Sequence, residues 1–265
     1  MKQLTIENHC KNLSMNDQWW IALVVAVMLV VFGYTLISVV LPSISSLRWA
    51  LQAVPVIIYI LITLQRRLGL NRRCHDGQLS ASLGAANWIT LARGGLIAML
   101  AGFWRQPWPG QFDATEWARW LPGIIFISAA LGDALDGWVA RLTDNRTLLG
   151  IYLDTRIDAL GILVASLVGV GYGQLPKYYI CAGLAWYLLR LAVLLRKKSG
   201  RRCGKVKARR GARLMAGLQM AFLSIALLPV LSPSVTHTAA VLILIPFLAG
   251  FLVDWQMVCH HEDSN

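Results

Sequence analysis

The sequence is expected to fold as an all-α integral membrane protein, a six-helix core preceded by two extra transmembrane helices. Three observations carry this. Of the 265 residues, 57% are hydrophobic and only 14% charged, with a mean hydropathy of +0.56, whereas a soluble domain is nearer half apolar and a quarter charged. Eight apolar runs, at 19–40, 49–65, 87–103, 121–141, 149–172, 178–195, 212–232 and 237–256, approach the roughly 20 residues that a helix needs to span a bilayer. Lys and Arg are distributed unequally between the connections, as cytoplasmic loops require.

The first run is too long for the apolar stretch of a signal peptide, and no A-x-A-like site follows it, so it is read as a retained helix. The second contains Pro55, which is expected to kink it. A polar, basic linker, QRRLGLNRRCHDGQLSAS, follows and divides the chain into an N-terminal extension, 1–80, and a six-helix transmembrane domain, 81–265. The third run opens with ANWITLARGGL, where Asn87, Thr90 and Arg93 recur every three residues along one side. An arginine inside a span is a functional candidate by default. The connection 103–120 carries Trp104, Trp108, Trp117 and Trp120, an aromatic belt for the opposite interface.

With the N-terminus in the cytoplasm, eighteen basic residues fall on the cytoplasmic side, ten of them in RKKSGRRCGKVKARRGAR at 196–213. Four (Arg48, Arg105, Arg119 and Lys177) fall outside, and Arg93, Arg156 and Arg190 lie within spans. Both termini are then cytoplasmic, in the inner (plasma) membrane if the source is prokaryotic. The net charge of +12 follows from this bias, and membrane lipids are its expected partner. No basic module interleaved with aromatics points to nucleic acid. Cys10, Cys74, Cys181, Cys203 and Cys259 are scattered, and no H-x-x-x-H spacing exists, so neither a disulfide framework nor a zinc site is expected.

The fourth and fifth runs are unusual in where they carry acid. Asp133, Asp136, Asp144, Asp154 and Asp158 are five of the chain's thirteen acidic residues. On a helix, Asp136, Gly137 and Ala140 fall at about −60°, about +40° and about −20° from Asp133. One face therefore presents two carboxylates among small residues. Asp154 and Asp158 share a face of the next helix, with Gly150 one turn earlier. Asp144 lies in the short connector LTDNRTL, which is expected to make the two helices antiparallel neighbours, so that four carboxylates converge. Arg156 points away from them and is expected to pair elsewhere in the bundle. Four like charges cannot remain ionised together without compensation. Magnesium, manganese or calcium suits such an all-oxygen set, and two ions roughly 3.5–4 Å apart clamp displacement at phosphorus.

The pattern Asp133-x2-Asp136-Gly137-x2-Ala140-Arg141-x8-Gly150-x3-Asp154-x3-Asp158 resembles the signature of the CDP-alcohol phosphatidyltransferase family at every specified position. The resemblance covers about residues 85–256 and leaves the first two helices outside. It implies cleavage of the pyrophosphate of a CDP-linked donor, transfer of the phosphoryl-bearing group to an alcohol, and release of CMP. By the same resemblance Asp133, Asp136, Asp154 and Asp158 hold two ions, magnesium or manganese, and Asp158 is the general base. Gly137, Ala140 and Arg141 line the nucleotide, and an arginine there is independently suited to pyrophosphate. Asn87, Thr90 and Arg93 join them, because ANWITLAR is similar to the family's P-N-x-L-T-x-x-R, with Ala86 and Ile89 as departures. A homodimer is implied on the same ground.

The most direct expectation is that CDP-diacylglycerol donates to a small polar or phosphorylated alcohol such as glycerol phosphate or inositol phosphate. Lys205 and Lys207, in a stretch similar to the G-K-x-K-T of some phosphatidylglycerophosphate-type members with Ala208 in place of the Thr, and Arg190 are candidates for the acceptor phosphate. With no activated Cys or Ser nucleophile evident, direct in-line transfer is expected. The alternatives are headgroup transfer from CDP-choline or CDP-ethanolamine to diacylglycerol, or a divalent-cation transporter. The last predicts acids near the midplane, often in repeated halves, whereas these cluster once, near one face.

Overall fold

The computed structural model describes residues 15–74, 77–80, 82–109, 116–142, 146–200, 204 and 210–259. Their helices are α1 (Met15–Val40), α2 (Ser46–Gln65), α3 (Ala85–Ala101), α4 (Leu121–Leu142), α5 (Leu148–Gly171), α6 (Ile180–Lys198), α7 (Arg210–Ala226) and α8 (Pro233–Cys259). Each occupies one of the eight apolar runs. The largest difference is at the end of α7, which stops at Ala226 instead of continuing to 232. Turns take over at Leu227, ahead of Pro229 and Pro233, which favour extended or turn backbone before them.

Five stretches are long and apolar enough to cross a membrane: α1, α2, α4 with the turn before it, α6 with the turn before it, and α8. Helix α3 and the Leu214–Ala226 part of α7 are apolar but shorter. Helix α5, at 24 residues, is long enough but carries Asp154, Arg156 and Asp158. The protein is an all-α, multi-pass integral membrane protein. Its apolar surface fits that setting, with Val24, Met28, Phe32 and Val39 of α1 all exposed.

Helix α3 is the centre of the bundle. Helices α4 and α5 both pack mainly on α3 and touch each other little, while α2 covers another side of α3. The expected pairing of α4 against α5 is thereby replaced by α4–α3–α5. Two helical faces that each bear carboxylates repel, and α3 places Arg93 between them. Small residues admit α3 so closely: a Cβ on Gly94 would lie 2.8 Å from Ile60 Cδ1 of α2.

Helices α1 and α2 are fastened to this centre. Trp49 of α2 is fully buried between Gly33 of α1 and Gly102 at the end of α3, and its indole Nε1 donates to Met99 O at 3.2 Å. Helix α2 continues through Pro55 without interruption. The linker after α2 is pinned as well. Buried Asn71 donates to Ser80 O (3.3 Å) and Ser82 O (2.8 Å). Arg73 bridges to Thr147, and Leu148 N donates to Arg72 O at 2.9 Å, which ties the linker to the start of α5. The aromatic connection lies at the other end of α5, where Trp108 stacks on Tyr172 at 5.0 Å.

Candidate functional site

Arg93 projects from α3 across the face of α4, where its Nε donates to Ala129 O at 3.1 Å. Its guanidinium meets one oxygen from each of four carboxylates. Nη1 lies 2.8 Å from Asp136 Oδ2 and 2.8 Å from Asp154 Oδ1, and Nη2 lies 3.1 Å from Asp133 Oδ1 and 2.5 Å from Asp158 Oδ1. Arg93 is 3% exposed, whereas the side chains of Asp133 and Asp154 are about 40% exposed. The cluster is thus closed on the α3 side and open on the other.

Second bonds fix this arrangement. Thr90 donates to Asp136 Oδ2 at 2.8 Å and to Ala86 O at 3.0 Å. Thr147 begins α5 as its N-cap, accepting from Gly150 N at 3.0 Å. Asn87 donates to that same Thr147 Oγ1 at 3.2 Å and to Asn71 Oδ1 at 3.4 Å. The start of α5, and with it the height of Asp154 and Asp158, is therefore locked to α3 and to the linker.

Asp133, Asp154 and Asp158 each bring an oxygen within 4.8 Å of the others. Arg93 engages one oxygen of each of the four aspartates. The three converging carboxylates of Asp133, Asp154 and Asp158 fit a hard divalent cation. Beside it, Asp136, Gly137 and Ala140 of α4, Asn87 and Thr90 of α3, and Gly150 and Asp154 of α5 line one cleft.

A family comparison decides what this cluster belongs to. The profile described as CDP-alcohol phosphatidyltransferase matches residues 83–252, which begins just before α3 and ends within α8. The chain belongs to the CDP-alcohol phosphatidyltransferase family. It is also similar to a protein named CDP-diacylglycerol–glycerol-3-phosphate 3-phosphatidyltransferase from Cereibacter sphaeroides, 33% identical over 64 residues. That match spans 24% of this chain and only 29% of the relative. No solved structure matches the chain.

Against the family signature, Asp133, Asp136, Asp154 and Asp158 come together around Arg93, and Gly137, Ala140, Asn87 and Thr90 line the adjoining cleft. Arg93 itself stands among the carboxylates instead of in that cleft. Arg141 is exposed and lies back along α4, its Nη1 3.6 Å from where a Cβ on Gly137 would stand. Arg190 is exposed, its guanidinium 5.5 Å over Trp186, away from the cleft. Lys205, Lys207 and Asp144 lie outside the described residues.

Three residues of the site were not anticipated. Gly132 is required by Arg93, since a Cβ there would approach the arginine side chain. It lies about 40° from Asp136 on a helical wheel, so extending the wheel one residue back would have found it. Arg146 lines the cleft but sits in the connector, where periodicity says nothing. Thr147 could have been read as an N-cap before an apolar run.

Proposed function

We propose that the protein is an enzyme that transfers a phosphatidyl group from CDP-diacylglycerol to a polar alcohol, glycerol phosphate foremost, and releases CMP. The observation that carries this reading is the meeting of Asp133, Asp136, Asp154 and Asp158 around Arg93, beside a cleft cleared of side chains by Gly137 and Gly150. Family membership supports the reaction type. The activity named for the Cereibacter sphaeroides relative favours glycerol phosphate over inositol phosphate.

Asp133, Asp136, Asp154 and Asp158 would hold two magnesium or manganese ions. Bound there, such ions supply positive charge to the pyrophosphate as the bridging bond breaks. The chain's own residues do the rest. Arg93 and Thr90 hold Asp136 in one orientation. Gly137 and Ala140 admit the nucleotide to the backbone of α4, with Asn87, Arg141 and Arg146 near its rim. Asp158 takes the proton of the acceptor hydroxyl. That oxygen forms the new bond to the phosphatidyl phosphorus, and the bond from phosphorus to the bridging oxygen breaks, leaving its electron pair on CMP. Lys205 and Lys207 are assigned to the acceptor phosphate. The cleft faces the cytoplasm, together with both termini, residues 1–80 form an extension to the transferring domain, and the working unit is a homodimer.

A panel of donors and acceptors tests this. The purified chain with magnesium or manganese is given CDP-diacylglycerol or a CDP-amino-alcohol, each with candidate acceptors, and CMP and lipid product are measured. Phosphatidylglycerol phosphate from CDP-diacylglycerol is the expected product. Turnover only with a CDP-amino-alcohol and diacylglycerol would reverse the donor assignment, and no CMP from any pair would sink the reading.

A further inference from the structure

A second polar cavity lies on the opposite side of α5 from the aspartates. Tyr59, Ile62, Thr63, Arg66 and Arg67 at the end of α2 line it, with Tyr152 and Arg156 of α5. It shares no lining residue with the transfer cleft. Arg156 lies two residues from both Asp154 and Asp158, which turns it roughly 200° around the helix. The cavity measures about 520 Å³, within the range of about 300–1,000 Å³ found for small-molecule sites.

Its charge is uncompensated in an unusual way. Arg66, Arg67, Arg156 and nearby Arg190 form no ion pair with a carboxylate among the described residues. Aromatic groups hold Arg67, Arg156 and Arg190 instead. Tyr152 has Arg156 Cζ 3.3 Å from its ring centroid, while its hydroxyl accepts from Arg67 Nε at 3.1 Å. Trp186 has Arg156 and Arg190 at 5.7 and 5.5 Å. Rings orient a guanidinium but consume few of its five N–H donors. Arg66 and Arg67 follow the last turn of α2, where snorkelling cations are usual. Arg156 does not fit that explanation, since it stands inside α5 and is half-buried.

We propose that Arg67 and Arg156, with Arg66 beside them, form a phosphate-binding site between α2 and α5, separate from the transfer cleft. Converging guanidiniums with spare donors match a phosphate group. The group belongs either to an anionic phospholipid or to a soluble phosphate ester. Exposed Ile58 and Ile62 continue along α2 from the cavity, a surface on which an acyl chain can lie. The site needs α2, which lies before the family match, so it is a property of this chain's N-terminal extension.

Two probes distinguish the sources. The detergent-purified full chain is titrated with inorganic phosphate, followed by phosphorus NMR. In parallel it is reconstituted in phosphatidylcholine nanodiscs with and without phosphatidylglycerol, and retained lipid is identified by native mass spectrometry. Wild type and Asp158→Asn are expected to bind at least one probe equally. The double variant Arg67→Gln/Arg156→Gln should bind it about tenfold more weakly, and Arg67→Lys/Arg156→Lys should fall between, because lysine keeps charge but not the fork. Retention of phosphatidylglycerol alone identifies a headgroup, and binding of inorganic phosphate identifies a soluble ester. Melting temperature and manganese binding check that the double variant is folded; if it is not, the Lys pair and Arg66→Gln carry the comparison. Equal binding by wild type and folded variants, loss of binding in Asp158→Asn, or no binding of either probe overturns the proposal.

Discussion

Gly132 makes room for Arg93: a Cβ at residue 132 would stand 2.6 Å from Cγ of the arginine and 3.0 Å from its Cδ. Arg93 reaches the four aspartates only because α4 has no side chain at this crossing. Gly132→Val is expected to push the guanidinium off the cluster. Overpacking of this kind costs about 1–3 kcal/mol, so the melting temperature should fall, and CMP release should drop at least about tenfold, about 1.4 kcal/mol in the barrier. Gly132→Ala should show a smaller loss. A variant as active and stable as wild type would show that Arg93 has another path.

Replacing Arg93 itself probes the charge balance. Arg93→Gln leaves four neighbouring carboxylates without their shared cation, and breaking a buried pair costs about 3–5 kcal/mol. The variant should melt well below wild type in chelator. Magnesium or manganese should raise its melting temperature more than that of wild type, since ligand binding to the folded state stabilises it and cations relieve the repulsion. An equal metal-induced shift in both proteins would count against carboxylates as the metal's ligands.

Asp158→Asn separates chemistry from folding. The amide keeps the shape and can face Arg93 with its oxygen, so melting should change little. CMP release should fall at least about a hundredfold, the lower end of the usual contribution of a general base. Normal turnover would remove Asp158 from that role.

Trp49→Ala tests the fastening of α2. Removing a fully buried tryptophan costs about 3–5 kcal/mol and leaves Met99 O without its donor. Melting should fall sharply, while CMP release measured well below the transition should stay near wild type, because Trp49 is remote from the aspartates. Loss of turnover in a folded variant would tie α2 to the reaction.

Much of this molecule was legible along the chain. The spans followed from apolar run length, and the aspartates from their spacing against small residues. What was hidden is tertiary. Periodicity put Asp133 and Asp136 on one face and Asp154 and Asp158 on another, but a short connector suggested that those faces meet directly. The carboxylates do converge, with Asp133, Asp154 and Asp158 oxygens within 4.8 Å of one another, but they do so around a cation that comes from forty residues before Asp133, on α3, and no local pattern reveals that. The same gap explains Arg156. A helical wheel showed that it turns away from the aspartates, but not that Tyr152 and Trp186 would receive it, since only the packing of α5 on α6 brings Trp186 within reach.

Arg93 also bears on the order of events during biogenesis. Its contacts to all four aspartates give the nascent bundle an internal counter-ion from the moment α3, α4 and α5 associate. Insertion and assembly can then run to completion without drawing on the cell's supply of divalent ions, and the ion uptake proposed for the carboxylates would be a late step performed on a finished protein.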